Sequence, residues 1–173
     1  YNQHYVSMRN RLNYYGAISP HYKVTSSFGN KDTQTLNLIS IPSIFFGSQI
    51  KPGTMSLKWY FTGSLIAELQ DIRQNGELVQ VGPKGSTGSG SIAGVALYNE
   101  GFVMLTGSWS LHSTTIRLTT GSFAVNPKWI YFGAGAQDGI TTTTAGATYS
   151  SASFSLSFKG TTETQVMTML AYA

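Results

Sequence analysis

The sequence predicts an all-β protein, an antiparallel β-sandwich or flattened barrel with a short N-terminal helix. Three observations carry that expectation. Residues 54–63 and 151–160 alternate apolar and polar side chains, the period of a strand buried on one face. Turn-forming residues punctuate the chain at the spacing of a sandwich or barrel. Only 10% of residues are charged while 13% are aromatic, against roughly 25% charged in an average domain. Disordered chains show the opposite balance, and 173 residues are enough to bury one core.

The N-terminal lead, residues 1–20, is expected to be helical, and residues 21–173 to form the β domain. Tyr5, Met8, Leu12 and Tyr15 fall on one helical face. Gly16 stands where a helix-ending glycine is expected, and Pro20 blocks continuation. Residues 22–28 read as a short β-branched strand. Residues 35–46 read as a strand with Leu36, Leu38 and Ser40 on one face, and with a bulge or edge at Pro42. In 54–63, Met55, Leu57, Trp59 and Phe61 share a face, opposite Ser56, Lys58 and Tyr60. Residues 65–81 fit a helical stripe through Leu65, Ile66, Leu69 and Ile72, or a hairpin turning at Asn75-Gly76. The hairpin is favoured by Asn-Gly and by the flanking strands. A second hairpin joins 92–98 to 102–109 through Asn99-Glu100-Gly101. Strands are expected at 115–120, 128–135, 151–160 and 164–173. In 151–160, Phe154, Leu156 and Phe158 alternate with Ser153, Ser155 and Ser157.

Net charge is +4, and it is uneven: residues 1–60 hold Arg9, Arg11, Lys23, Lys31, Lys51 and Lys58 against Asp32 alone. These cations are singly spaced, without the clustering of a nucleic-acid footprint. Cysteine is absent, which removes disulfides, thiolate metal sites and a cysteine nucleophile. No run approaches the roughly 18 apolar residues of a membrane span, and the first residues show no basic-then-apolar signal pattern. The chain opens on Tyr1, and the expectation is a processed product or one segment of a longer polypeptide.

Catalytic and cofactor motifs fail on register. In residues 82–91, "GPKGSTGSGS", Lys84 precedes Gly85 and later glycines precede serine. A phosphate loop needs Gly-Lys-Ser/Thr. Gly88-Ser89-Gly90 then runs one residue too far to Gly94 for a dinucleotide fingerprint. A mobile connector between hairpins is the expectation there. His4, His21 and His112 lack ligand spacing and are expected on the surface or at an interface. Asp71, Glu77 and Glu100 lie beside predicted turns, where solvent exposure explains them. A glycosidase pair would need two carboxylates facing one cleft. Glu68 with Glu100 is the pair to check. No catalytic residue, cofactor or metal is expected.

Trp59, Trp109 and Trp129 sit in predicted strands. Trp129 and Tyr131 share one face of theirs, and Ile130 and Phe132 the other. That pattern suggests a strand covered on one side by core and on the other by a partner.

Residues 40–65, "SIPSIFFGSQIKPGTMSLKWYFTGSL", 74–111, "QNGELVQVGPKGSTGSGSIAGVALYNEGFVMLTGSWSL", 128–135, "KWIYFGAG", and 153–161, "SFSLSFKGT", resemble a family of virion structural proteins of marine tailed phages, notably those infecting cyanobacteria. The resemblance runs from about Tyr14 to the C-terminus. It implies a virion component assembled in the host cytoplasm, in the tail or neck region or on the capsid surface, without enzymatic activity.

The expected function is therefore non-enzymatic assembly with copies of itself and other virion proteins, without membrane or nucleic acid. Contacts are expected at Tyr5, Arg9, Arg11, Tyr14 and Tyr15 in the lead, and at Lys84, Ser86 and Thr87 in loop 82–91. Trp129, Tyr131 and loop 136–150 with its threonine run complete the expected surface. The competing class is a receptor- or glycan-binding module using surface tryptophan and tyrosine.

Overall fold

The computed structural model describes residues 2–111, 116–121, 124–134 and 147–164. One helix, α1 (Asn2–Tyr15), is followed by strands β1 (Thr25–Ser26), β2 (Gly29–Asn30), β3 (Asn37–Ser40), β4 (Gln49–Ile50), β5 (Ser56–Phe61), β6 (Ser64–Gln70) and β7 (Glu77–Gly82). Then come β8 (Ile92–Leu97), β9 (Phe102–Leu105), β10 (Thr119–Gly121), β11 (Ala147–Tyr149), β12 (Ala152–Ser157) and β13 (Gly160–Thr161). Seven strands form one antiparallel sheet in the order β12-β5-β6-β7-β8-β9-β3, curled into a half-barrel. The mainly antiparallel β class expected from alternation and turn chemistry is the class observed.

The main core fills the inside of the curl. Leu57, Trp59 and Phe61 of β5 are all but fully buried, as their alternation requires. Phe154 and Leu156 of β12 sit opposite Trp59 and Leu57. Around Trp59 gather Phe61, Trp129, Phe132 and Phe154, with ring centroids at 5.5, 6.1, 5.7 and 5.6 Å. Such close aromatic packing adds to the area each ring removes from water.

The second face of β8 and β9 is buried as well. Val95, Leu97 and Met104 point away from the main core and pack under Leu12, Tyr22 and Val24, with Met8 and Tyr15 alongside. Hence the near-continuous apolar runs "IAGVAL" and "FVML": a sheet covered on both sides needs no polar face. The cover is the chain's own N-terminal lead, held by the stripe Met8, Leu12, Tyr15. Gly16 follows the helix as expected, and it also answers to space. A Cβ there would come within 2.9 Å of the Asn13 carbonyl and 2.7 Å of Lys23.

Three expectations are corrected. Residues 128–132 form no strand: Trp129–Tyr131 is a 3-10 turn, closed by Tyr131 N–H to Lys128 O (2.9 Å) and Phe132 N–H to Trp129 O (3.0 Å). With three residues per turn, Trp129 and Phe132 fall on one face, and both are buried. A run of four apolar residues fits a period of two or three equally well, so alternation misassigned it. In β3, Leu38 is exposed while Ile39 packs against the main core, joined by Ile41 just past the strand end. The strand itself stops before Pro42, which leads into a 3-10 turn, Ser43–Phe45. Residues 22–28 give only β1, paired to β2 in a minimal hairpin.

The 65–81 hairpin is present as β6 and β7, with left-handed backbone at Gln74 and Gly76. The β8–β9 hairpin turns through Gly101 at φ +70. The strand expected at 164–173 falls, from residue 165 on, outside the described residues, as do His112 and most of the 136–150 loop.

Candidate functional site

Loop 82–91 is fastened to one buried side chain, Gln80. Gln80 points into the main core from β7 because it shares the phase of Leu78. Its Oε1 accepts hydrogen bonds from Trp109 Nε1 (3.0 Å) and Trp129 Nε1 (2.9 Å). Its Nε2 donates to Ser86 Oγ (3.1 Å) and Thr87 O (2.8 Å). The backbone repeats the attachment, with Gln80 N–H to Ser91 O (2.9 Å) and Gly90 N–H to Gln80 O (2.7 Å). The loop is thus a folded cap on a saturated amide, not the mobile connector expected. Gly88 adopts φ +82, and a Cβ there would lie 2.1 Å from Trp109 Nε1, so glycine is required. Lys84 and Thr87 remain exposed, and Ser86 is half-buried.

The carboxylates expected in solvent are buried or tied down, a second correction of the turn argument. Glu77 accepts from Ser19 Oγ (2.5 Å) and Arg73 Nη1 (2.6 Å). Asp71 accepts from Tyr98 and from Gly53 N–H (2.7 Å). Burial and then that hydrogen bond push the Tyr98 phenol far above its usual range. Glu68 is engaged by Ser56, Gln70 and Lys58. Glu100 receives Arg11 and the Tyr15 hydroxyl. Asp71 satisfies the Gly53 N–H of a turn, Glu77 and Glu100 hold the N-terminal lead through Ser19, Arg11 and Tyr15, and Glu68 makes a cross-strand link between β5 and β6. Glu68, Glu77 and Glu100 do not share partners.

Burial raises the Glu77 pKa, but hydrogen bonds from Ser19, Arg73 and Asn75 outweigh it, and the net direction is down from 4.5. A depressed carboxylate contributes stability that is complete above its unfolded pKa and is lost as pH falls through the lower folded value. Glu77→Gln is expected to lower stability by about 1–3 kcal/mol at pH 7. The deficit shrinks as pH falls below the usual glutamate range, where the unfolded wild-type chain takes up the proton first and the folded one only at its lowered value. Urea unfolding of both proteins at pH 7 and pH 3 checks this; a deficit independent of pH contradicts it.

The lead residues named from sequence converge only in part. Arg11 and Tyr15 meet at Glu100, and Arg9 pairs with Asp32 at 3.8 Å. Tyr14 is exposed, and the Tyr5 side chain is outside the described set. A cleft of about 470 Å³ opens between α1 and the Asn99–Gly101 turn, lined by Ser7, Met8, Arg11, Leu97, Glu100 and Phe102. Trp129 is fully buried and Tyr131 half-buried against the core. Neither forms the partner-facing sheet expected of them. His21 stacks on Phe28 at 4.0 Å. Among the described residues, no cluster of three His, Cys, Asp or Glu side chains has metal-binding geometry, and no helix is long and apolar enough to cross a membrane.

Among the described residues, the most exposed pair of neighbouring apolar side chains was not singled out by sequence. Ile44 is 85% and Phe45 68% exposed at the tip of the 3-10 turn after Pro42. That tip is rigidly held. Phe45 N–H bonds Pro42 O (3.0 Å), Gly47 N–H bonds Ser43 O (2.8 Å), and the next residue, Phe46, is buried as an anchor. The apparent signal in the sequence is Pro42 inside an apolar run, which ends the strand and turns the following residues outward.

The chain matches no protein-family model, no curated protein and no solved structure.

Proposed function

We propose that this protein is a non-enzymatic structural subunit of a phage particle, tail or neck associated, that assembles with copies of itself and with other virion proteins. The carrying observation is the Ile44–Phe45 tip: two large apolar side chains, rigidly presented to solvent, on a chain with only 10% charged residues. Exposed apolar groups on a fixed scaffold lose little entropy when covered, which is the economy of an interface. Low charge leaves little self-repulsion to keep copies apart.

The geometry of the polar groups supports the same reading. The carboxylates of the turns are committed to structural hydrogen bonds. Arg9 and Arg11 already face Asp32 and Glu100, so the lead offers no row of uncommitted cations to a phosphate backbone. A glycan platform of tryptophans is not favoured: Trp59 and Trp129 are fully buried, and the Trp109 indole is held by Gln80. The phage assignment rests on the resemblance of residues 40–65, 74–111, 128–135 and 153–161 to virion structural proteins.

The test is Ile44→Ser combined with Phe45→Ser. Both side chains are solvent-exposed, so the isolated fold is expected to change by about 0.5 kcal/mol or less. Assembly measured by sedimentation velocity is expected to weaken by about tenfold or more. Unchanged sedimentation at every concentration removes this tip as a contact.

A further inference from the structure

Among the described residues the sheet ends on β12, with no strand paired to its outer edge. β12 pairs with β5 without a register shift, from Ala152 opposite Phe61 to Ser157 opposite Ser56. The direction of its backbone groups follows from the flanking bonds. Ser151 O accepts from Thr62 N–H (3.2 Å), and Lys159 N–H donates to Thr54 Oγ1 (3.0 Å). Odd-numbered residues therefore face β5. In an antiparallel ladder the alternate residues face away. The N–H and C=O groups of Ala152, Phe154 and Leu156 point outward. Just before them, Ser150 N–H is taken by Leu118 O (2.9 Å), where the β10–β11 ladder ends. Beyond that point no described residue hydrogen-bonds to the outer edge.

Natural edges are blunted with lysine, proline, bulges or very short strands. Residues 149–158, "YSSASFSLSF", hold neither charge nor proline. The outer face is Ser153, Ser155 and Ser157, all exposed, and the inner face is half-buried Phe154 and Leu156.

Resting on the assembly reading above, we infer that β12 is a homotypic docking edge, joining a second copy of this chain in antiparallel register about a two-fold axis at Ser155. The strand is complementary to itself in that register. Phe154 lies opposite Leu156 of the second copy, Ala152 opposite Phe158, and Ser153 opposite Ser157. Each outward-facing pair exchanges both backbone hydrogen bonds. Apolar residues meet apolar ones on the inner face, serine meets serine on the outer, and no like charges oppose. A charged or proline-bearing partner strand would fit this edge less well than the strand's own copy. The two half-barrels then share one continuous sheet, and the interface is isologous.

Amide exchange and charge exchange on the full chain test this together. In dilute monomer the Phe154 and Leu156 amides exchange fast while those of Ser153 and Ser155 are protected by β5; in the assembled form all four are slow. Ser155→Lys places like charges face to face and is expected to weaken self-association about fivefold, as is Ser155→Asp. An equimolar mixture of the two restores it. Ser155→Thr, with a melting curve, controls for folding and keeps wild-type association. If the wild type assembles but neither variant changes association, or Phe154 and Leu156 stay fast in the assembly, the edge is not the contact and the assembly reading stands. A wild type that never associates overturns both.

Discussion

Gln80→Leu lowers the stability of the fold by about 3–5 kcal/mol, although leucine has nearly the same volume. The Gln80 side chain makes the full complement its amide allows, two acceptor bonds and two donor bonds. Leucine leaves two indole N–H groups and the Thr87 carbonyl without their partner, and each buried orphan costs about 1–3 kcal/mol. Trp109 is only half-buried and can recover water; Trp129 is fully buried and cannot. The loss corresponds to a melting-temperature drop of roughly 10 °C for a domain of this size. A double-mutant cycle isolates the cause. In a Trp129→Phe background one orphan is already gone, so Gln80→Leu is expected to cost about 1 kcal/mol less than in the wild type. Additive effects would mean that the Trp129 indole N–H is not coupled to the Gln80 amide.

Trp59 carries the second large effect, with the opposite chemistry. It is fully buried and touches four aromatic rings, yet its Nε1 has no hydrogen-bond partner among the described residues. Trp59→Ala opens a cavity at the centre of the main core and is expected to cost about 3–5 kcal/mol. Trp59→Phe keeps much of the ring contact and removes an unpaired buried donor, which offsets part of the smaller cavity. The expected loss is about 1.5 kcal/mol or less. Urea unfolding of the two variants checks the contrast; equal losses would mean that the indole nitrogen is satisfied in solution. Gln80 and Trp59 thus mark two ways of building one core, one by pairing every polar atom and one by packing around an unpaired one.

These two residues also show where sequence is readable. Trp59 was legible because Met55, Leu57, Trp59 and Phe61 alternate and only a strand satisfies that period. β12 was legible for the same reason, and α1 through Met8, Leu12 and Tyr15. Gln80 was not, because a glutamine on an apolar phase has no local mark of its partners. Trp109 and Trp129 lie 29 and 49 residues away. Two-sided burial was anticipated at 128–132, where a 3-10 turn stands instead. It occurs at β8 and β9, whose apolar runs were read only as a hairpin. The carboxylates beside turns were read as solvated because turn position and exposure usually go together, yet here the N-terminal lead folds over those turns and buries Glu77. Of the expected contact surface, Arg11 and Tyr15 come together at Glu100. The Ile44–Phe45 tip escaped because its apolar residues looked like a continuing strand.

The central claim, that this chain is built to associate, is tested most directly by its mass in solution. Static light scattering on the purified chain across protein concentration and salt gives that mass without labels or partners. The account predicts a weight-average mass that rises with concentration above the 18.7 kDa of one chain. The rise should persist at high salt, since the contacts proposed are apolar and backbone-mediated. A constant 18.7 kDa at every concentration and salt would contradict it.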